Sequence, residues 1–149
     1  MKIKEVSILD SNEIYQWRND RSTRLMSKNS KKIDKASHNK WIHKCLKSND
    51  YHLYLGIYNG VKVGIVWFLS DSKKKESEVS INLNPEERGK KLSTMLLQKC
   101  INIFLKKNKL SLRSTIKKNN YASKKIFQNC NFTVKKSDET YDYLFLEKN

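Results

Sequence analysis

Arg88-Gly89-Lys90-Lys91-Leu92-Ser93 puts three cations and a glycine where an apolar helical pattern begins. The first amide N–H groups of a helix lack internal partners and its dipole is positive there, so such a turn is a ready site for an anion. A basic helix start is unfavourable for that dipole unless an anion compensates it, and this conflict favours the anion-binding reading. Just upstream, the alternating run Glu78-Val79-Ser80-Ile81-Asn82-Leu83 predicts a strand that leads into this turn.

The elements that position these groups follow from periodicity. Lys2 to Leu9 alternates Ile3, Val6 and Ile8 with polar residues and predicts a first strand. Asp10 with Glu13 has capping-box form and opens a short helix through Ile14, Trp17 and Arg18. Residues 19–33 lack periodicity and predict a loop with a turn or two of helix. Asp34 starts a second helix with His38, Trp41, Ile42, Cys45 and Leu46 on one face. Two strand-like runs, from Tyr51 and from Val61, flank Asn59-Gly60, a strong signal for a two-residue hairpin. After the strand ending at Leu83 comes a forced turn with the only proline, Pro85, and Gly89, one of four glycines. Leu92, Leu96, Cys100, Ile103 and Phe104 recur at helical spacing, and Leu110 to Ile116 predicts another strand. Asn119-Asn120 opens a last helix, followed by strands near Phe132 to Val134 and Tyr141 to Leu146. The order predicts one α+β domain over residues 1–149, with a mixed, mostly antiparallel sheet of six to seven strands and about four helices. A right-handed β-α-β crossover joins its two halves.

A chain of 149 residues suffices for one ordinary core. It contains no apolar run of the ~20 residues needed to span a bilayer, and its first residues do not form a signal-peptide core, so a soluble, cytoplasmic protein is expected. Cys45, Cys100 and Cys130 are odd in number and widely spaced, and His38, His43 and His52 do not join them at ligand spacing. Neither a disulfide framework nor a metal is expected. The formal charge of +16 suits an anionic partner. Only five of the 31 basic residues are arginines and the lysines are scattered, which argues against a nucleic-acid reader. Composition is compatible with a homodimer and does not fix the oligomeric state.

Over nearly its whole length the chain resembles the GNAT family of N-acetyltransferases. The family's phosphate signature is Gln/Arg-x-x-Gly-x-Gly/Ala. Arg88 matches it, while Lys91 stands where the first glycine is expected and Ser93 replaces the small last residue. The family's final helix often reads Asn-x-x-Ser/Ala-x-x-x-Tyr/Phe-x-x-x-Gly-Phe. Here Asn120, Ser123, Phe127, Asn131 and Phe132 fall in register, and Asn131 replaces a glycine that Asn can imitate in the left-handed conformation. The resemblance implies acetyl-CoA as acyl donor, with its phosphates at Arg88, Gly89, Lys90, Lys91, Leu92 and Ser93. Its pantetheine arm would lie between two splayed strands, bonded to the backbone of Ile81 and Leu83 and reached by Asn120, beside Ser123 and Phe127. For Asn120 the alternative is a plain helix N-cap. Glu78 falls where many members keep a general base. The usual tyrosine acid is replaced by Phe127, leaving Tyr121, Tyr141, Tyr143, Cys130 or no dedicated acid.

The acceptor end of the family is built from the first two helices and their loop. Trp17-Arg18-Asn19, then Arg24, then His38-x-x-Trp41 resembles the branch that acetylates nucleotide-activated amino sugars of the pseudaminic and legionaminic type. That resemblance implies that Trp17, Arg18, Asn19, Arg24 and His38 meet a nucleotide-diphosphate amino sugar. Trp17 and Trp41 also fit as core anchors. Two other readings stand beside this one: a protein N-terminal or lysine acetyltransferase, as for ribosomal proteins, and a non-catalytic basic module binding CoA or RNA.

Overall fold

The computed structural model describes residues 1–146. Seven strands form one sheet: β1 (Lys2–Glu5), β2 (Tyr51–Tyr58), β3 (Val61–Asp71), β4 (Glu76–Leu83), β5 (Ser111–Lys117), β6 (Thr133–Ser137) and β7 (Tyr141–Leu146). Their spatial order is β1-β2-β3-β4-β5-β7-β6. Every pairing is antiparallel except β4 with β5. Five helices flank the sheet: α1 (Ser11–Arg18), α2 (Arg21–Met26), α3 (Lys35–Lys47), α4 (Ser93–Lys107) and α5 (Tyr121–Asn129). Among them none is long and apolar enough to cross a membrane.

The alternation of the strands feeds two cores. On one face Val66, Phe68, Val79, Leu112, Ile116 and Leu144 pack under α4 and α5, where the Phe68 and Phe104 rings stack at 4.1 Å. On the other, Leu53, Leu55 and Ile65 meet Ile14, Trp17, Ile42 and Cys45 of α1 and α3. Full burial of each such side chain is worth ~1.5–3 kcal/mol of transfer free energy. The turn between β2 and β3 is the expected one, with Asn59 and Gly60 both at positive φ.

Two local readings need correction. The first strand stops at Glu5, and residues 8–10 form a 3-10 turn instead of extending it. The reason is Asp10: its carboxylate accepts from the Ser7 amide at 2.9 Å and pairs with Lys4 and Lys62, folding the chain back. It therefore does not cap α1, and Glu13 pairs with Lys62. The segment 19–33 also contains a complete helix, α2, nucleated by Asp20, whose side chain accepts from the Thr23 amide. This raises the helix count from about four to five.

The crossover β4–α4–β5 places the chemistry. β4 and β5 pair only over Glu76 to Glu78 against Ser111 to Arg113. Beyond that vertex the strands part, and Ser114 Oγ donates to Val79 O at 2.9 Å as the last link across the gap.

Candidate active site

The parted strands open a cavity of about 360 Å³. β4 supplies Glu78 to Asn82, β5 supplies Ser114 to Lys117, and α5 supplies Ser123 and Phe127 with Asn120 at its cap. Arg18, Thr23, Met26, Lys28 and Ile33 cover it from the α1–α3 side. The β4 backbone beyond Glu78 has no strand partner on its β5 edge, so its amides and carbonyls face the gap ready to pair with an extended ligand.

Next to the gap, α4 starts without a side-chain cap on its first turn and without an acidic residue there. Gly89 has φ +75° and Lys91 φ +60°, and Leu92 follows in the right-handed region. Alternation of this kind turns successive amides to one side and makes an anion-binding hollow. Lys91 adopts the conformation that a glycine holds at no cost. Lys90 pairs with Glu87, and Arg88 donates to Asp20 Oδ2 at 2.6 Å and to Thr23 Oγ1 at 2.8 Å. Arg88 thus ties the turn before α4 to the cap of α2, an engagement the sequence did not foretell. The Asp20 carboxyl, although burial opposes it, is held below its ordinary range by Arg88 and the Thr23 amide.

Glu78 sits at the vertex with both oxygens engaged. Lys28 Nζ lies 3.2 Å from Oε1 and Arg113 Nη1 2.8 Å from Oε2. Lys117 crosses from β5 to donate to Leu25 O at 3.0 Å. Together these contacts lay α2 over the open strands as a roof.

Arg18 is the most specialised group on the α1–α3 side. Its guanidinium carbon lies 4.0 Å from the centroid of the Trp41 ring, a cation–π contact. Nη1 is 3.0 Å from His38 Nδ1. Arginine only donates, so Nδ1 must accept, which leaves the Nε2 proton for Ser11 O at 3.0 Å. His38 is therefore neutral, and burial, with the Arg18 charge second, holds it below its ordinary value. Among the described residues no carboxylate pairs with Arg18, although it lines the cavity.

A family model described as an acetyltransferase (GNAT) domain matches residues 1–133. The chain belongs to the GNAT acetyltransferases. As a member it is an acetyl-CoA-dependent N-acetyltransferase. Solved GNAT structures overlay it along almost its whole length. The Campylobacter jejuni N-acetyltransferase PseH in complex with acetyl coenzyme A shares 20% identity over 99% of each chain, with a TM-score of 0.77. A Vibrio cholerae spermidine N-acetyltransferase in complex with CoA and spermine shares 13% identity over 97% of this chain and 95% of that one, TM-score 0.80. A Staphylococcus aureus N-acetyltransferase shares 23% over 97% and 94%, TM-score 0.78. No curated protein matches the sequence.

Within this GNAT fold the expected residues separate into groups. Glu78, Ile81, Asn120, Ser123, Phe127 and Arg18 line the cavity. Arg88 to Ser93 form the adjoining turn and helix start, Leu83 ends β4 beside it, and His38 stands behind Arg18. Trp17 departs from the acceptor-side expectation because it is buried among Ile14 and Ile42. Asn19 exchanges hydrogen bonds with the Ile33 backbone, and Arg24 donates to Asn19 O and Ser30 O, so both brace the loop. Asn120 is an N-cap, its Oδ1 accepting from the Ser123 amide, which leaves Nδ2 to donate toward the gap. Among the candidate acids, Tyr143 donates to Asp138, Tyr121 is 73% exposed, and burial pushes the Cys130 thiol up to about 11. Tyr141 alone of the four lines the cavity.

Sequence reasoning missed Lys28, Trp67, Asn82, Arg113, Ser114 and Lys117. Ser80 and Asn82 were within reach, since they share the Glu78 face of a strand with a period of two. Among the described residues no group of three or more His, Cys, Asp or Glu could hold a metal.

Proposed function

We propose that this GNAT enzyme acetylates the primary amine of a nucleotide-diphosphate amino sugar, which enters from the α1–α3 side. Arg18 carries the reading. It is a half-buried cation stacked on Trp41, buttressed by a neutral histidine, and it reaches the cavity without a carboxylate to neutralise it. An anionic group on the acceptor suits such a cation, and a polyamine does not. Arg18, Lys28 and Lys117 line the cavity against the single carboxylate of Glu78, so a polycation would face net repulsion. Likeness to PseH at the level of the fold is compatible with this reading and does not separate it from likeness to the spermidine N-acetyltransferases.

The residues present fit acetyl-CoA. The open β4 edge at Ile81 and Leu83 and the Asn120 amide suit the pantetheine arm, and the hollow at Gly89 to Ser93, with Arg88, suits the phosphates. Acetyl-CoA supplies the activated acetyl thioester. Glu78 at the vertex accepts the proton of the attacking amine, while Lys28 and Arg113 hold its carboxylate in place. Phe127 seals the α5 side against water and Trp67 the opposite side.

The test is thiol release from acetyl-CoA with three classes of amine: nucleotide-linked amino sugars, spermidine and N-terminal peptides. The nucleotide sugar should give the highest specificity constant, fall steeply with added salt and lose most of its rate when the nucleotide is removed. A higher specificity constant for spermidine or a peptide overturns the assignment while leaving the acetyltransferase intact.

A further inference from the structure

Asn82 is only 6% exposed, yet its Oδ1 has no hydrogen-bond partner. Two other buried polar atoms share that condition among the described residues, His52 Nδ1 and Arg113 Nε, and neither residue lines the large cavity. A buried acceptor left unmade costs on the order of 1–3 kcal/mol, and native proteins rarely leave one without a reason. An aliphatic side chain would suit the position, because Asn82 pairs across the sheet with Ile65 of the apolar α1–α3 core.

The strand geometry says which ligand Asn82 faces. Glu78, Ser80 and Asn82 point to one side of β4, the side of Trp67 and α1, whereas Ile81 and Leu83 pack against the α4–α5 core. A pantetheine arm lying in the plane of the sheet uses backbone groups, but a side chain perpendicular to it meets what enters under α1 and α2. Four residue steps along the strand take Glu78 to Asn82, a span of ~13 Å. The group that reaches Asn82 is therefore not the reacting amine but a part of the acceptor remote from it. An amide oxygen only accepts, so that part must carry an O–H or N–H.

We propose that Asn82 selects the acceptor by receiving at Oδ1 a hydrogen bond from a hydroxyl or amide N–H on the acceptor's body. This rests on the reading that the acceptor lies on the α1–α3 side. It adds a requirement to that reading: an anion at Arg18 is insufficient without a donor for Asn82.

Asn82→Leu keeps the approximate shape and removes every polar atom, while Asn82→Thr keeps an acceptor oxygen on a strand-forming residue. Both are assayed with whichever amine of the three-class panel the wild type acetylates best, so a wrong substrate class shows in the wild-type panel and not in the variants. Asn82→Leu should melt at or above the wild-type temperature without ligands. It should raise the KM of the amine ~10-fold or more, with kcat and the KM of acetyl-CoA within about twofold. Asn82→Thr should recover part of the loss. A lower melting temperature for Asn82→Leu makes the side chain structural and overturns the proposal. An unchanged amine KM means that the acceptor makes no contact with Oδ1 and overturns it equally.

Discussion

Arg113 Nη1 lies 2.8 Å from Glu78 Oε2, and Nε of the same guanidinium lies 3.0 Å from Glu76 Oε1, near enough to pair by charge though not aligned as a hydrogen bond. One β5 side chain thus spans two β4 carboxylates at the vertex where the strands begin to part. If Glu78 takes the amine's proton, Glu78→Gln should lower kcat ~10²-fold or more while acetyl-CoA affinity stays nearly constant. Arg113→Met should lower kcat less, ~10-fold, by letting the carboxylate drift, and Arg113→Lys should restore part of it. Steady-state kinetics on the three variants check the order. Equal rates for wild type and Glu78→Gln move the base elsewhere.

Lys91 holds φ +60° in the turn before α4, the proposed phosphate site. A left-handed conformation costs a residue with a Cβ ~1–2 kcal/mol, and glycine recovers that at the expense of ~0.4–1 kcal/mol of unfolded-chain entropy. Lys91→Gly should therefore stabilise the protein without ligands by ~0.5 kcal/mol, read by denaturant titration. If the ammonium serves the phosphates, the same variant should weaken acetyl-CoA, and the loss should shrink at high salt. A less stable Lys91→Gly shows that the lysine makes a compensating contact.

Arg88 joins the turn before α4 to α2 through Asp20, and the pair is partly exposed, so its contribution to stability should be small, ~0–1 kcal/mol. Its functional role separates by substitution. Arg88→Ala should weaken acetyl-CoA more than the pantetheine fragment without phosphates, whereas Asp20→Asn, which frees the guanidinium, should leave acetyl-CoA binding unchanged or tighter. Calorimetric titration of the two variants checks this. Equal weakening by both means that Arg88 acts through α2 and not on the phosphates.

Local signals carried much of the fold. Asn59-Gly60 specified the hairpin, Asn131 took the left-handed position expected of it at φ +70°, and Asn120 and Asp34 cap their helices. The Glu78 alternation located the strand that opens. What sequence could not show depends on partners distant in the chain. Lys28 meets Glu78 fifty residues away, Arg88 reaches Asp20 across sixty-eight, and Arg113 finds Glu78 only because β5 returns parallel to β4. The polar run 19–33 hid α2, since a helix with no buried residue has no apolar stripe to read. Trp17 misled for the opposite reason: a Trp-Arg-Asn pattern does not say which of its side chains turns inward, and the tryptophan is the one in the core.

His38 links pH to Arg18, the proposed anion-binding group. Its imidazole is buried and neutral, held below its ordinary 6.5 by burial first and by Arg18 second, with the Ser11 carbonyl opposing. A histidine depressed in the folded state binds protons more readily once unfolded, so it contributes stability fully above pH ~6.5 and loses it as the pH falls through that window. His38→Gln is the informative variant, because glutamine can still accept from Arg18 and donate to Ser11 without gaining a charge. As the pH falls below ~6.5 the wild type should lose stability relative to His38→Gln. At lower pH, as it falls through the depressed value of the folded imidazole, the KM for an anionic acceptor should rise in the wild type as His38 gives up its lone pair to the proton, displacing the Arg18 guanidinium. The KM of His38→Gln should stay comparatively flat. Parallel thermal melts and amine titrations on both proteins check the two effects together. Identical pH dependence of wild type and variant in both measurements would show that folding does not depress His38 and that His38 does not hold Arg18.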